Sequence, residues 1–395
     1  MRILNICAYT WEAGGPPKII FDHTQVALRY GHQVDILSPY SEGEKPYPVP
    51  EGARLILCRR TPIISRFFRE VSGELYQYLK KYIHEYDVIH CHGLWHFGTL
   101  APFMVDNSIA KVITIHGVLD RWVYAHNNLK KQLMDNLAQK RYLRRADLVQ
   151  INNTDEREDI ARYLGSPHPN VVIIPNGIKL SDFTHLPAKG TFRRKFNVPN
   201  SRKMVLFMSR LNIKKGLGLL LPAFKAYQQK HADAILIVAG GNDGYEAEAR
   251  QFIDDNKLSD SIRLVGMLTG DDKKAALADA DLFTLPSYSE GFSMAVLEAM
   301  ASGAPTLVSD RVGFGETIRQ HQAAGLVNEL TPEGVLKGLE TMLGDNDLRQ
   351  QVAQNATALL KAQYDIDIVA KRLLDEYEKI VHSKKAKLSP LSALS

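Results

Sequence analysis

The sequence is poor in cysteine and has no strong charge bias. Only three cysteines, Cys7, Cys58 and Cys91, occur among 395 residues, and their spacing matches neither a disulfide framework nor a metal-binding motif. Lysine and arginine number 49 against 44 aspartates and glutamates, a formal net charge of +5. This excess is too small to indicate nucleic-acid binding, although it is compatible with anionic ligands or lipid surfaces. The low cysteine content favours a reducing compartment.

Long apolar stretches are also missing. No segment approaches the roughly 20 apolar residues that a helix needs to cross a bilayer. The apolar run from Ile3 to Tyr9 is too short for the apolar region of a secretion signal and predicts a first buried strand. We therefore expect a cytoplasmic protein, with contact at the inner face of the membrane left open.

The remaining composition predicts two α/β domains. With 45% hydrophobic and 24% charged residues, the chain can bury more than one core, and its length suits two domains of about 150–200 residues each. Short runs of valine, isoleucine and leucine alternate with helical stretches, a pattern typical of parallel sheets with crossover helices. Two doubly wound, Rossmann-like domains are expected, with a ligand cleft between their strand ends.

The boundary between the two domains is placed in a stretch rich in proline and glycine at Leu186-Pro187-Ala188-Lys189-Gly190. The expected segments are an N-terminal domain 1–185, a C-terminal domain 186–363, a final amphipathic helix 364–382 packing back towards the N-terminal domain, and a flexible tail 383–395.

One segment, residues 285–303, combines features of an anion-binding site. It reads as a buried strand ending at Pro286, a loop of small residues, and a helix with Ser293 as its cap. The N–H groups of Phe292, Ser293 and Met294 would point at a bound anion from the helix N-terminus. Glu298 follows Ser293 by about 8 Å along the helix, at a rise of 1.5 Å per residue. Together with Glu290, it suits two acids that hold different parts of one extended ligand.

This segment resembles the retaining glycosyltransferases of family four (glycosyl transferases group 1), which have the GT-B fold of two Rossmann-like domains facing each other across a cleft. The resemblance covers nearly the whole chain. Further matching motifs are Gly14-Gly15, Gly31-His32-Gln33-Val34, Asp87-Val88-Ile89-His90-Cys91-His92, Thr114-Ile115-His116-Gly117, Pro175-Asn176-Gly177-Ile178, Ser209-Arg210-Leu211-Asn212-Ile213-Lys214-Lys215-Gly216 and Ala239-Gly240-Gly241.

The resemblance implies transfer of a sugar from a nucleotide diphosphate sugar, without a metal or other cofactor. The implied catalytic residues are Glu290, His116, Arg210 and Lys215. Arg210 and Lys215 would stabilise the departing diphosphate, Glu298 would bind the ribose, and Glu290 and His116 would contact the donor sugar. The donor-binding set is Gly15, Arg210, Lys215, Gly266, Met267, Glu290, Phe292, Ser293, Met294 and Glu298.

The acceptor is expected to be a glycan or a lipid-linked oligosaccharide, in the biosynthesis of a bacterial exopolysaccharide, O-antigen or lipopolysaccharide. His92 and Trp95 either contact this acceptor or pack in the core, and a metal site there is disfavoured. A nucleotide-sugar epimerase of the same fold and a non-catalytic nucleotide-sugar or glycan-binding protein remain the alternatives.

Two further patterns have competing interpretations. Asp279-Ala280-Asp281 spells a motif that binds divalent metal in another glycosyltransferase fold, but it precedes a buried strand and indicates a helix-to-strand junction. Basic residues also cluster, either as a membrane-binding surface or as a solvated helix. These are Arg59, Arg60, Arg66 and Arg69 beside Phe67-Phe68, and Lys130, Lys131, Lys140, Arg141, Arg144 and Arg145.

Overall fold

The computed structural model describes residues 1–7, 15–45, 48–62, 70–120, 124 and 134–388. The chain folds as two units. Unit 1 comprises Met1–Gly177 together with Ile366–Ser395, and unit 2 is the continuous segment Ile178–Asp365.

Unit 1 contains a parallel sheet of seven strands. In chain order these are β1 (Arg2–Cys7), β2 (Gln33–Tyr40), β3 (Arg54–Arg59), β4 (Val88–His92), β5 (Ala110–Thr114), β6 (Leu148–Ile151) and β7 (Val171–Ile173). Their spatial order is β3-β2-β1-β4-β5-β6-β7. The chain therefore moves outward in one direction from β1 and then in the other from β4.

Among the described residues before unit 2, the helices of unit 1 are α1 (Gly15–Arg29), α2 (Gly73–Tyr82), α3 (Phe97–Val105), α4 (Lys140–Arg144) and α5 (Thr154–Leu164). A short 3₁₀ helix at Ile83–Glu85 comes directly after α2, and a π-helical turn at Asp135–Gln139 precedes α4. The polar residues before the helices explain where they begin. Ser72 accepts a hydrogen bond from the amide of Leu75, and Asn153 accepts one from that of Glu156.

Unit 2 repeats the architecture with six parallel strands, β8 (Lys203–Met208), β9 (Ala234–Ala239), β10 (Ile262–Gly266), β11 (Leu282–Leu285), β12 (Thr306–Ser309) and β13 (Gly325–Val327). Their order is β10-β9-β8-β11-β12-β13. The helices are α6 (Thr191–Lys195), α7 (Leu217–Lys230), α8 (Glu246–Asp255), α9 (Gly270–Asp279), α10 (Met294–Ala301), α11 (Gly315–His321), α12 (Pro332–Gly344) and α13 (Asn346–Leu359). Short 3₁₀ helices lie at Leu180–Phe183 and Ile213–Lys215, and a π-helical turn at Leu360–Tyr364.

Both sheets have the doubly wound strand order, which confirms the predicted α/β class of two Rossmann-like units. The strand order reverses between β1 and β4 in unit 1 and between β8 and β11 in unit 2. The loops that leave neighbouring strands diverge at such a point and open a crevice at the carboxyl edge of the sheet, where ligands bind.

The last helix, α14 (Ile366–Leu388), belongs to unit 1. Val369, Leu373, Leu374 and Tyr377 on one face of α14 join the core formed with β1, β4 and β5. The helix extends beyond the expected end at residue 382. The prediction of a flexible tail from residue 383 was therefore wrong for 383–388, and residues 389–395 lie outside the described part.

The helix extends because its final turns are anchored by charge. Lys384 pairs with Asp147 at 2.7 Å and Lys385 with Asp87 at 2.9 Å.

Within the ranges that the structure describes, no helix is both long and apolar enough to span a bilayer.

Candidate active site

The loop after β8 is locked against the loop after β11. Asn212 accepts a hydrogen bond from the amide of Lys214 at the start of the short 3₁₀ helix, and the carbonyl of Lys214 accepts one from Tyr288 at 2.9 Å. Gly216 ends this turn at φ 79°. A Cβ there would lie 1.9 Å from the carbonyl oxygen of Pro286. Only glycine therefore permits the two loops to lie this close.

This close approach brings Lys215 and Glu290 together as a salt bridge. The Lys215 ammonium donates to Glu290 Oε1, and the two side chains are only 11% and 9% exposed. Glu290 is also fixed through its backbone, because its amide donates to the carbonyl of Arg311 at 3.0 Å. The result is a shielded cation and carboxylate at the point where the strand order reverses. The sequence indicates both residues but gives no sign that they pair.

The N-terminus of α10 lies directly after this pair. Ser293 is the N-cap residue, as predicted by position, but its side chain makes no cap hydrogen bond. The first N–H groups of a helix have no partner within the helix and carry partial positive charge. Phe292 packs on Phe314 and Tyr364, at ring-centroid distances of 4.9 and 6.1 Å. These ring contacts fix the start of α10, with Met294 as its first helical residue.

Glu298 is held by a lysine that sequence reasoning missed. Lys273 of α9 donates to Glu298 Oε1 at 2.7 Å, and both side chains remain partly exposed. Nothing in the spacing of 273 and 298 indicates this contact, because it depends on how α9 and α10 pack. The contact holds the Glu298 carboxyl in one orientation, as an acceptor for ligand hydroxyl groups.

Arg210 and Met267 are both largely exposed. The Arg210 side chain is 71% exposed and pairs with Asp243 at 2.8 Å. Gly266 ends β10 at φ 74°, and Met267 beside it is 71% exposed. An exposed guanidinium on a surface pair can change partner at little cost, so Arg210 is able to turn to an anionic ligand.

His116 lies at the corresponding edge of unit 1. It follows β5 and has the left-handed conformation, φ 53°, rare for a residue other than glycine. Its Nε2 lies 3.1 Å from His92 Nδ1. Burial lowers the pKa of His116 to about 4, so its ring is neutral at neutral pH.

Gly15 is the first residue of α1, and the neighbouring Gly14 lies outside the described residues. Pro16 and Pro17 lie in the first turn of this helix. Proline is suited to this turn because its missing N–H would have no helical partner there.

The two candidate acceptor residues are both buried. His92 contacts His116 and Asn5. Trp95 donates its indole N–H to Asp135 at 2.7 Å, and its amide donates to Gln139. Of the two interpretations left open by the sequence, packing describes these contacts, and a role in acceptor binding stays a prediction.

Asp279, Asp281 and one of the basic residues, Arg60, make local structural contacts. Asp279 accepts hydrogen bonds from the amides of Gly190 and Arg193, and Asp281 pairs with the Arg193 guanidinium at 2.7 Å. Of the basic residues, Arg60 pairs with Glu44 and Glu70. Arg66, Arg69, Phe67, Phe68, Lys130 and Lys131 lie outside the described residues.

Comparison with known proteins decides the family. The family model described as Glycosyl transferases group 1 matches residues 188–359, and that described as Glycosyltransferase Family 4 matches residues 13–182. The chain belongs to the group 1 glycosyltransferases. The matched ranges contain the Lys215–Glu290 pair in unit 2 and His116 in unit 1.

Relatives of this glycosyltransferase match over most of their length. An uncharacterized glycosyltransferase of Methanocaldococcus jannaschii is 26% identical over 95% of this chain and 98% of its own. A phosphatidyl-myo-inositol mannosyltransferase of Mycobacterium leprae is 24% identical over 97% and 98%. A D-inositol 3-phosphate glycosyltransferase of Corynebacterium diphtheriae is 25% identical over 89% and 88%.

Solved structures show the same fold. The sucrose-phosphate synthase of Thermosynechococcus elongatus superposes with a TM-score of 0.80 at 20% identity, covering 97% of this chain and 100% of its own. The Anabaena protein Alr3699/HepE, solved with UDP and glucose, gives 0.76 at 18% identity, covering 96% and 100%. The predicted GT-B fold is confirmed.

Proposed function

We propose that this glycosyltransferase moves a sugar from a nucleotide diphosphate sugar to a glycan or lipid-linked acceptor, with retention of configuration at the anomeric carbon. The observation that carries the proposal is the shielded Lys215–Glu290 pair at the β8/β11 switch point, directly before the N-terminus of α10. A cation, a carboxylate and a helix N-terminus at one place suit a ligand that has both phosphates and hydroxyl groups.

The difficult event in this reaction is the departure of the diphosphate. The bond from the anomeric carbon to the diphosphate oxygen breaks, and its electron pair leaves on that oxygen. Lys215, Arg210 and the amides at the start of α10 stabilise this developing charge without a metal ion. The acceptor oxygen bonds to the anomeric carbon from the same face, and its proton leaves with the diphosphate.

The remaining residues hold the donor. Glu298 accepts hydrogen bonds from the ribose hydroxyls, and Glu290 and His116 contact the sugar. Gly266 and Met267 lie along the nucleotide base, and Gly15 of α1 adds a backbone contact to the donor. Glu290 is shared between Lys215 and the sugar. When Lys215 pairs with the bound diphosphate, the Glu290 carboxylate becomes available to accept hydrogen bonds from the sugar hydroxyls.

The acceptor and setting complete the proposal. Unit 1 binds the acceptor, and the reaction belongs to the biosynthesis of a bacterial polysaccharide. The protein is cytoplasmic and works at the inner face of the membrane when its acceptor is lipid-linked. Described basic residues such as Lys140 and Arg141 on α4 can then contact anionic headgroups.

The proposal is tested first by identifying the donor and then by replacing one lysine. A thermal-shift screen against UDP, GDP, ADP and their sugars selects the donor, and NMR of the product reads the anomeric configuration. Lys215→Ala is expected to abolish transfer while the protein stays folded, since the charge on the departing diphosphate is no longer offset. Lys214→Ala is the matched control and should retain activity. Near-normal turnover of Lys215→Ala, or an inverted product, contradicts the proposal.

Chelation tests the metal-free step separately. Transfer is expected to continue in EDTA, because the fixed cations are protein side chains. Loss of activity that Mg²⁺ or Mn²⁺ restores would require a metal-binding role to be sought, beginning with Asp279 and Asp281.

A further inference from the structure

Two histidine rings are joined at the carboxyl edge of the unit 1 sheet. His92 is the last residue of β4 and is almost completely buried. Its Nδ1 lies 3.1 Å from Nε2 of His116, and the two rings are stacked with their planes 23° apart. A hydrogen bond between two ring nitrogens needs one donor and one acceptor, so the protonation of one ring determines that of the other.

The direction of this hydrogen bond is set by Asn5 on β1. The Asn5 side-chain oxygen lies 3.2 Å from Nε2 of His92. An amide oxygen can only accept a hydrogen bond, so Nε2 of His92 carries the proton. A neutral imidazole has one N–H, which makes Nδ1 of His92 an acceptor. His116 must then donate from its Nε2, and its Nδ1 keeps the lone pair.

Both rings are neutral under ordinary conditions, as this reasoning requires. Burial lowers the pKa of His92 well below its usual value, and the neighbouring rings of His90 and His116 lower it further. Burial likewise lowers the pKa of His116, to about 4. At neutral pH each ring therefore carries a single N–H proton, on one of its two nitrogens.

We propose that Asn5 and His92 are positioning residues that fix His116 as its Nε2–H tautomer. His116 then offers Nδ1 as an acceptor to a hydroxyl group of the ligand. This inference rests on the proposed function for the contact between His116 and the sugar. The tautomer itself is a property of the unliganded protein and can be measured without any substrate.

A second hydrogen-bonded histidine provides the control. The ring of His90 packs against that of His92, with centroids 4.0 Å apart and the two planes tilted by 32°. Its own hydrogen bonds go to the hydroxyl of Tyr377 at 2.5 Å and to that of Thr114 at 2.6 Å. Tyr377→Phe therefore removes a buried hydrogen bond one ring away while leaving the contacts of Asn5, His92 and His116 in place.

The direct experiment reads ring nitrogens by NMR in the full-length protein labelled with ¹⁵N-histidine at neutral pH. We expect a protonated Nε2 and an unprotonated Nδ1 for His116. In Asn5→Leu and His92→Phe the two ¹⁵N shifts of His116 should converge, because neither tautomer is then enforced. His92→Asn, which keeps an amide near the place of Nδ1, should restore part of the difference. Tyr377→Phe should leave it unchanged.

A protonated Nδ1 in the wild type, or shifts that stay separated in both Asn5→Leu and His92→Phe, overturns the proposal. Kinetics then distinguish it from the proposed function. Asn5→Leu and His92→Phe should lower kcat by about tenfold or more, as loss of a residue that orients a functional histidine does, with a smaller effect on the KM of the donor. If the tautomer behaves as expected but His116→Ala transfers sugar normally, the sugar-contact role of His116 is wrong and the tautomer assignment stands.

Discussion

Lys215 and Glu290 neutralise each other in the unliganded protein, which has a consequence for binding. Separating or leaving unpaired one member of a shielded ion pair costs about 3–5 kcal/mol. Under the proposed function, a bound diphosphate would remove this cost for Lys215 by supplying negative charge, and sugar hydroxyls would then satisfy Glu290. The pair thus keeps both side chains oriented before the donor binds.

Glu298 supplies a prediction that concerns nucleotide binding alone. Glu298→Gln should weaken nucleotide affinity about tenfold, because a hydrogen bond to a charged acceptor contributes about 1.5–3 kcal/mol and a neutral amide contributes less. Isothermal titration calorimetry with the nucleotide selected by the thermal-shift screen measures the change. Glu246→Gln on α8, whose partner Arg250 lies one helical turn away, should bind as the wild type does. Unchanged affinity in Glu298→Gln would refute the ribose contact.

The sequence could identify these residues but not their partners. Glu290 and Glu298 stand out because they flank a recognisable loop and helix start. Lys215 is indicated only by the family resemblance, whose motif spacing from Arg210 selects it over Lys214. The Lys215–Glu290 contact depends on strands β8 and β11, which are distant in sequence and become neighbours only through the doubly wound crossover. The Lys273–Glu298 contact depends on how α9 and α10 pack. Lys273 and Asp243 carry no signal of their own, since each is one charged residue among many.

At the scale of elements, the Gly216 turn determines whether the site forms at all. Gly216→Ala should destabilise unit 2 by about 3 kcal/mol or more, because the new Cβ would overlap the Pro286 carbonyl and push the two loops apart. Gly244 also has a positive φ, 92°, but a Cβ there meets nothing within 4 Å. Gly244→Ala should therefore cost only about 1 kcal/mol, the usual cost of the left-handed conformation.

Urea unfolding of the two alanine variants provides the comparison. Equal losses of stability would mean that backbone conformation alone, and not the close approach of the loops, explains the glycine at 216. Donor affinity measured on the same samples should fall only in Gly216→Ala, since only that substitution displaces Lys215.

Element boundaries were harder to predict than element identities. The apolar runs indicated the buried strands because fully covered parallel strands need continuous apolar sequence. The end of α14 was placed too early, because its lysines resemble a solvated tail until Asp87 and Asp147 are brought beside them.

For the whole molecule, the buried histidines of unit 1 predict a loss of stability in acid. Burial lowers the pKa of His23 and of His116 to about 4 and those of His90 and His92 well below the usual value. The unfolded chain binds protons at these rings below about pH 6.5 and the folded protein does not. Their contribution is therefore complete above that pH and is lost as the pH falls toward 4, by about 1.4 kcal/mol per pH unit for each ring.

One buried carboxyl, that of Glu156, changes the stability with pH in the opposite direction. Burial raises its pKa to about 7, so its protonated form favours folding below that pH, and this contribution is lost as the pH rises through 7. Four rings outweigh one carboxyl, and the net stability should fall between pH 6.5 and 4.5. Urea unfolding at several pH values measures the slope, which His23→Leu should reduce by one proton. A slope that does not change in this variant would contradict the assignment of a neutral buried His23.

The path of the chain through α14 has a consequence for biosynthesis. Unit 2 is continuous in sequence, so all of its residues are translated before the last helix. Unit 1 is translated first, but one part of its hydrophobic core is incomplete until Val369, Leu373 and Leu374 have been synthesised. The nascent N-terminal half therefore has an apolar surface uncovered while the whole of unit 2 is synthesised. The portion translated first is the portion completed last.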